Sequence, residues 1–178
     1  MVQSRVLYEN NPLGFIGDLL VDELDLRGRD ERLARRRERR AAVQEIDLSY
    51  QGISDEFGAN LLELGGFCSL CKLDLSHNLL YKLPESIGSL LSLTHLFLND
   101  NYLSSLQPII IRRLVNLQEL DLRNNKLKNF SLDITELSCL RKLSVQGNPL
   151  KDDETRKLMK LANNERLIDI AGECKLLW

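Results

Sequence analysis

The sequence lacks the features that mark membrane, secreted and nucleic-acid-coating proteins. None of its apolar runs approaches the roughly 20 residues that span a bilayer. Its opening residues, MVQSRVLYENNP, show no basic head followed by a long apolar stretch, as a secretory signal would. With 24 basic and 26 acidic residues the net charge is only −2, too small for a general nucleic-acid binder. We therefore expect an intracellular, cytoplasmic protein, and leave cytoskeletal, axonemal, nuclear and organellar assemblies open.

Cysteine is also scarce, with four residues in 178. The pair Cys68 and Cys71 has the spacing of half a zinc site, but a structural zinc needs about four ligands and no second pair lies at a useful distance. Without a secretory signal, reduced thiols are the expected state. The sequence therefore predicts neither a metal site nor any other cofactor.

Motifs for catalysis are missing as well. The sequence contains no phosphate-binding glycine loop, nucleophile elbow or metalloprotease helix. The histidines His77 and His95 could lie near Asp74 and Asp100, but an open His–Asp pair lacks a pocket, a nucleophile and an oxyanion donor. We therefore predict that the protein is not an enzyme.

What the sequence does contain is a repeat of the form apolar-x-x-apolar-x-apolar-x-x-Asn-x-apolar. The copies are VQEIDLSYQGI, LCKLDLSHNLL, LTHLFLNDNYL, LQELDLRNNKL and LRKLSVQGNPL, which begin at Val43, Leu70, Leu93, Leu117 and Leu140. Apolar residues two apart place their side chains on one face of a short strand. The starts therefore predict five parallel strands, at 46–48, 73–75, 96–98, 120–122 and 143–145.

This pattern resembles the leucine-rich repeat family, in its intracellular type with repeats of 23 or 24 residues and a C-terminal cap. The resemblance implies an α/β fold: a right-handed solenoid with a parallel, concave sheet and helical or 3-10 segments on the convex side. We expect an N-terminal cap, a degenerate repeat and an arginine-rich segment in residues 1–42, five repeats in 43–150, and a cap in 151–178.

The two ends deviate from the repeat. Val21, Leu24 and Leu26 match its first half, which predicts a degenerate strand at the open edge before Val43. After the last repeat, Asp152 or Asp153 is positioned to begin a helix, and residues 166–173 resemble the terminal cap of intracellular leucine-rich repeat proteins.

Residues 27–40, RGRDERLARRRERR, form an arginine-rich segment with eight arginines and three acidic residues. One interpretation is a basic surface for an anionic partner, which is the only place where the sequence suggests nucleic acid. The other is a solvated helix that links the edge strand to the first full repeat. The arginines we single out as partner-binding are Arg35, Arg36 and Arg37.

Strand residues that alternate with the core positions are expected to face the concave side, where the family usually binds its partners. Phe97 replaces the aspartate found here in three other repeats, and we expect His95, Tyr50 and Arg123 to flank it. Aromatic and arginine side chains dominate interface energies. The predicted partner-binding residues on this face are Asp47, Tyr50, Asp74, His77, His95, Phe97, Asp121 and Arg123.

Two functions remain open at this point, both of them non-catalytic protein–protein interaction. In the first, the protein is a small structural or scaffolding subunit of a larger intracellular assembly. In the second, it is a free cytosolic adaptor that binds a signalling protein through its concave face. An acidic balance on that face favours a partner with a basic surface, and the sequence does not name the partner.

Overall fold

The computed structural model describes residues 5–6, 38, 40–55, 66–129, 137–162 and 169–170, which form a single parallel sheet with short helical segments. The seven strands lie in chain order, each paired in parallel with the next. They are β1 (Arg5–Val6), β2 (Glu45–Asp47), β3 (Lys72–Asp74), β4 (His95–Phe97), β5 (Glu119–Asp121), β6 (Lys142–Ser144) and β7 (Asp169–Ile170). This arrangement confirms the solenoid implied by the repeat.

The five strands predicted from the repeat are β2 to β6, and each begins one residue earlier than predicted. Their middle residue is apolar and buried, while the first residue of each strand is at least partly exposed. The register pairs equivalent positions of successive repeats, as in Leu73 with Leu96 and Leu96 with Leu120. Each repeat therefore places its equivalent positions in the same columns of the sheet.

The core lies between this sheet and the convex side, where a 3-10 helix spans Glu85–Ser89 and helix α1 spans Pro108–Ile111. The apolar residues that lie three and six positions before the repeat starts are buried wherever the structure describes them. They are Phe67, Ile87, Leu90, Ile111, Leu114 and Leu137; Leu64 and Ile134 lie outside the described residues. The repeats thus share one continuous hydrophobic cluster, as a solenoid requires.

A column of buried asparagines joins the repeats on the side where the chain leaves the sheet. The amide of Asn101 donates hydrogen bonds to the carbonyls of Leu75 at 2.9 Å and Leu98 at 3.1 Å. The next asparagine, Asn125, donates to Leu98 and Leu122 in the same way. Each of these carbonyls therefore accepts amides from two successive repeats, which satisfies the polar groups that the turns leave unpaired.

The first repeat departs from this pattern because it has Gln51 in place of asparagine. Its backbone amide donates to the side chain of Asn78 at 3.0 Å, and its own side chain donates to the carbonyl of Ser49. The second repeat thus supplies the acceptor for the turn of the first.

At the N-terminal edge the sequence predicted a strand from Val21 beside the first repeat. The strand that pairs with β2 is β1, with Arg5 opposite Glu45 and Val6 opposite Ile46. Residues 21–26 themselves lie outside the described part of the chain.

At the C-terminal end, helix α2 spans Asp152–Ala162 and begins where the acidic pair predicted it. Strand β7 then pairs with β6, with Ile170 opposite Leu143. Because α2 also lies against β7, both elements cover the edge of the last repeat. In the described residues no helix combines the length and the apolar character that crossing a membrane requires.

Candidate functional site

The exposed face of the sheet, which we call the concave face, carries two columns of side chains. The columns come from the first and the third residue of each strand, on either side of the buried middle position. Neighbouring strands lie about 4.8 Å apart, so side chains in one column are in reach of each other. The first column is Glu45, Lys72, His95, Glu119 and Lys142, and the second is Asp47, Asp74, Phe97, Asp121 and Ser144.

Phe97 occupies the middle of the second column, with Asp74 and Asp121 opposite it on the two adjacent strands. Its ring is partly exposed, and the ammonium group of Lys72 lies 5.6 Å from the ring centroid. That distance is within the range of a cation–π interaction. The centre of the face is therefore an apolar ring with a cation on one diagonal and carboxylates on both sides.

The aspartates of the second column have a local structural role. One carboxylate oxygen of Asp74 accepts a hydrogen bond from the backbone amide of Ser76 at 2.9 Å, and Asp47 and Asp121 accept in the same way from Ser49 and Arg123. Such side-chain bonds stabilise the turn that follows each strand. The aspartates are thus explained by the turns, whereas Phe97 forms no such bond and needs another explanation.

Asp121 differs from Asp47 and Asp74 because it is covered. Its side chain is 6% exposed, and the guanidinium of Arg123 contacts its second oxygen at 2.6 Å. Hydrogen bonding to Asp121 and its charge raise the pKa of Arg123, against a smaller opposing effect of burial. Between them, Asp121 and Arg123 present a neutralised pair to the solvent.

The first column contains a second charge network at its C-terminal end. Glu119 accepts from the ammonium group of Lys142 at 2.8 Å, and its other oxygen lies 3.9 Å from the Nε2 atom of His95. The Nδ1 atom of His95 lies 2.8 Å from the hydroxyl of Thr94. The charged residues of both columns are thus paired over the last repeats, and the ring of Phe97 is the apolar feature within the second column.

A third column lies where the strands turn, and its residues adopt left-handed backbone conformations. The φ angles are 58° at Tyr50, 55° at His77, 57° at Asp100 and 53° at Asn124. The rings of Tyr50 and His77 stack with centroids 4.0 Å apart, and the Nε2 atom of His77 lies 3.5 Å from Asp100. The amide of Asn124 donates to the other oxygen of Asp100 at 2.8 Å. These side chains form a ladder across four repeats.

Asp100 is the charged centre of this ladder. Burial alone raises the pKa of Asp100, but hydrogen bonds from Asn99 and Asn124 and the charges of His77 and Arg123 outweigh it, and the net pKa lies below the ordinary 3.8. A lowered pKa in the folded state means that the ionised carboxylate stabilises the fold at neutral pH. This contribution is lost as the pH falls through the pKa of the folded state.

We therefore predict that Asp100→Asn destabilises the protein at pH 7 by less than about 1 kcal/mol, because the site is largely solvated. The difference from the parent protein should shrink when both are unfolded with urea at pH 3. Circular dichroism at both pH values serves as the control for folding. A difference that grows on acidification would contradict the assignment.

The structure groups the predicted residues differently from the sequence. Phe97 keeps Asp74 and Asp121 as neighbours, but Tyr50 pairs with His77 and Arg123 with Asp121 rather than lining the ring. The residue that reaches Phe97 is Lys72, which sequence reasoning did not select. Its position was available, because the first column of one strand lies diagonally across from the second column of the next. Arg35, Arg36 and Arg37 lie outside the described residues.

Comparison with known proteins supports the family suggested by the repeats. One leucine-rich repeat family profile matches residues 92–150 and another matches residues 69–90. Both matches coincide with repeats whose strands and asparagines stack in the structure. Residues 69–90 and 92–150 of this chain are therefore leucine-rich repeats.

Curated leucine-rich repeat relatives match this chain only over a small part of their own length. The adenylate cyclase of Schizosaccharomyces pombe is 37% identical over 59% of this chain and 6% of that protein. Toll-like receptor 9 of Mus musculus is 37% identical over 61% of this chain and 11% of that protein. The alpha subunit of bovine geranylgeranyl transferase type-2 is 44% identical over 44% of this chain and 14% of that subunit.

Solved leucine-rich repeat structures show the same architecture. A leucine-rich repeat protein of Leptospira interrogans superposes with a TM-score of 0.54 at 27% identity, over 68% of this chain and 36% of that one. InlP of Listeria monocytogenes superposes with a TM-score of 0.54 at 29% identity, over 61% and 29% of the two chains. Leucine-rich repeat domains generally mediate protein–protein interaction.

Proposed function

We propose that this leucine-rich repeat protein is a non-catalytic scaffolding subunit of a larger intracellular assembly and holds a protein partner on its concave face. The observation that carries the proposal is the ring of Phe97, partly exposed at the centre of the face, with Lys72 near the ring and Asp74 and Asp121 on the adjacent strands. Central aromatic side chains carry a large share of the binding energy in protein interfaces.

The surroundings of the ring define the chemistry of the partner. One carboxylate oxygen of Asp74 accepts from the amide of Ser76, and the other is available to a partner. Asp47 lies opposite Asp74 on the adjacent strand β2. An apolar side chain placed on the ring of Phe97, with lysine or arginine directed to these carboxylates, would satisfy both features. We infer a partner whose contact surface is basic with an apolar centre.

A subunit is favoured over a free adaptor because apolar side chains are also exposed outside the concave face. Ile109 on helix α1 is 72% exposed, and Leu91 and Val115, which occupy equivalent places in successive repeats, are 58% and 54% exposed. A subunit with several neighbours would cover such residues, whereas an adaptor with one binding face would not. The size of the natively purified complex separates the two, since an adaptor would be recovered mostly as a free chain.

The test replaces Phe97 in the full chain and follows the partner. Proteins that purify with the tagged chain under native conditions are identified by mass spectrometry, and the affinity of the best one is then measured directly. We expect Phe97→Ala to weaken binding by about 2 kcal/mol, which corresponds to roughly 30-fold in the dissociation constant. Little stability should be lost, because the ring covers the sheet without filling the core.

A second variant, Phe97→Asp, is the sharper control because three other repeats carry aspartate at this place and fold with it. It should lose the partner and keep the melting temperature. Glu85→Ala, at an exposed residue of the 3-10 helix on the convex side, should keep the partner. If both Phe97 variants lower the melting temperature while the partner is recovered in full, then Phe97 is structural and the proposal is wrong.

A further inference from the structure

A second surface with its own chemistry lies along the edge where the chain leaves the sheet, beyond the asparagine column. It contains the apolar side chains of Leu79, Tyr81 and Tyr102, which are 45%, 56% and 40% exposed. The rings of Tyr81 and Tyr102 come from successive repeats and stack with centroids 5.3 Å apart and an interplanar angle of 18°. We call this group the tyrosine edge.

The tyrosine edge has a regular backbone beneath it. The amide of Leu79 donates to the carbonyl of Ile53 at 2.8 Å, and the amide of Tyr102 donates to Leu80 at 2.9 Å. The amide of Lys126 donates to Leu103 at 2.9 Å and continues the series into the fourth repeat. Leu79, Tyr102 and Lys126 are therefore successive rungs, about 5 Å apart. The side chains of these residues therefore lie side by side in one row along the edge.

Cations border the tyrosine edge. Lys82 follows Tyr81 directly, Lys126 occupies the rung after Tyr102, and Lys128 lies two residues further on, all of them exposed. Among the residues that the structure describes, none of these lysines forms an ion pair, in contrast to Lys142 and Arg123 on the concave face. Unpaired lysines beside an exposed apolar pair offer a surface for carboxylates next to an apolar side chain.

We propose that the tyrosine edge is a second docking surface, which takes an acidic segment of a partner protein with a leucine or an aromatic anchor. The anchor would pack on the Tyr81–Tyr102 pair, and the aspartates or glutamates beside it would contact Lys126 and Lys128. This chemistry is the reverse of that on the concave face, so the two surfaces select different partners or different segments of one partner.

A single-stranded nucleic acid also uses aromatic rings and lysines, but the geometry disfavours it here. The two rings stack on each other, so each has one face covered. The carboxylate of Asp55 accepts hydrogen bonds from the backbone amides of Tyr81 and Lys82 at 2.8 and 3.2 Å, which places a negative charge beside the rings. A phosphate backbone would meet that charge, whereas an acidic peptide can direct its carboxylates to the far side.

The test is a selection of random 12-residue peptides, displayed on phage, on the full chain. We expect the enriched peptides to combine aspartate or glutamate with leucine or an aromatic residue. Each enriched peptide, synthesised with a fluorescent label, should bind the double variant Tyr81→Ala/Tyr102→Ala at least tenfold more weakly. Lys126→Glu/Lys128→Glu should weaken it as much, and added salt should weaken its binding to the parent chain.

Matched controls keep this test separate from that of the concave face. Phe97→Ala should bind the peptides as the parent does, and so should Arg141→Glu, a charge reversal at an exposed arginine before β6. Peptides without acidic residues, the absence of any enrichment, or enriched peptides insensitive to the tyrosine variant would each overturn the proposal. So would an oligothymidylate that binds through the tyrosine edge, or a dimer of the chain that the tyrosine variant dissociates.

Discussion

Replacing Asn101 with alanine is expected to lower the free energy of unfolding by about 3 kcal/mol, a large share of the stability of a small domain. The side chain accepts from the backbone amide of Leu80 at 3.1 Å and donates to the carbonyls of Leu75 and Leu98. After substitution these carbonyls retain the amides of the neighbouring asparagines, but the buried amide of Leu80 loses its acceptor. Chemical denaturation followed by circular dichroism measures the loss.

Two further variants separate the hydrogen bonds of Asn101 from its volume. Asn101→Asp keeps the shape but turns the donor into a carboxylate that faces carbonyl oxygens, so it should be at least as destabilising at pH 7. Asn116→Ala removes an exposed asparagine with a single bond to the carbonyl of Leu91, and it should cost less than about 1 kcal/mol. Equal losses for Asn101→Ala and Asn116→Ala would show that the column is not what joins the repeats.

Replacing Gly147 with alanine is expected to cost about 3 kcal/mol for two separate reasons. Gly147 has a φ of +71°, which side-chain-bearing residues adopt at a cost of roughly 1 to 2 kcal/mol. A Cβ atom there would also overlap the Oδ1 atom of Asn124 and approach its Cα atom to 3.2 Å. The fifth repeat therefore needs glycine at a place where the earlier repeats carry larger residues.

A matched glycine isolates the two contributions. Gly52 has a φ of +64°, and a Cβ atom added there would have no other atom within 4 Å, so Gly52→Ala should cost only about 1 kcal/mol. Combining Gly147→Ala with Asn124→Gly removes the overlapping side chain. The double variant should therefore lose less stability than the two single variants lose in sum. Strict additivity would show that the overlap with Asn124 has no energetic weight.

Both predictions depend on contacts between repeats, and these are what the sequence predicted least well. Four of the five copies carry an asparagine at the position of Asn101, and the structure buries three of them, Asn78, Asn101 and Asn125. The hydrogen-bond pattern, in which a carbonyl accepts from the asparagines of two successive repeats, could not be derived from one repeat. It depends on how the repeats stack. The same holds for the Tyr81–Tyr102 pair, whose members occupy different places in their repeats.

The candidate site was predicted in part for the same reason. Phe97 was recognisable because it breaks a column of aspartates, and the structure keeps it at the centre of the face. The contact of Lys72 with the ring and the ion pair of Arg123 with Asp121 depend on side-chain rotamers, which sequence spacing does not specify. The left-handed turn at Tyr50 and His77 was not predicted either, since few residues other than glycine adopt that conformation.

The sequence by itself determined where the strands lie, which residues fill the core and where the C-terminal helix begins. These features follow from apolar residues at fixed spacing and from polar residues at element ends, which are local properties of the chain. Only the tertiary structure decided that β1 pairs with the first repeat, and which charges on the concave face form ion pairs. A strand of two residues is too short to show an alternating apolar pattern. Its pairing depends on the unpaired backbone N–H and C=O groups at the edge of the neighbouring repeat.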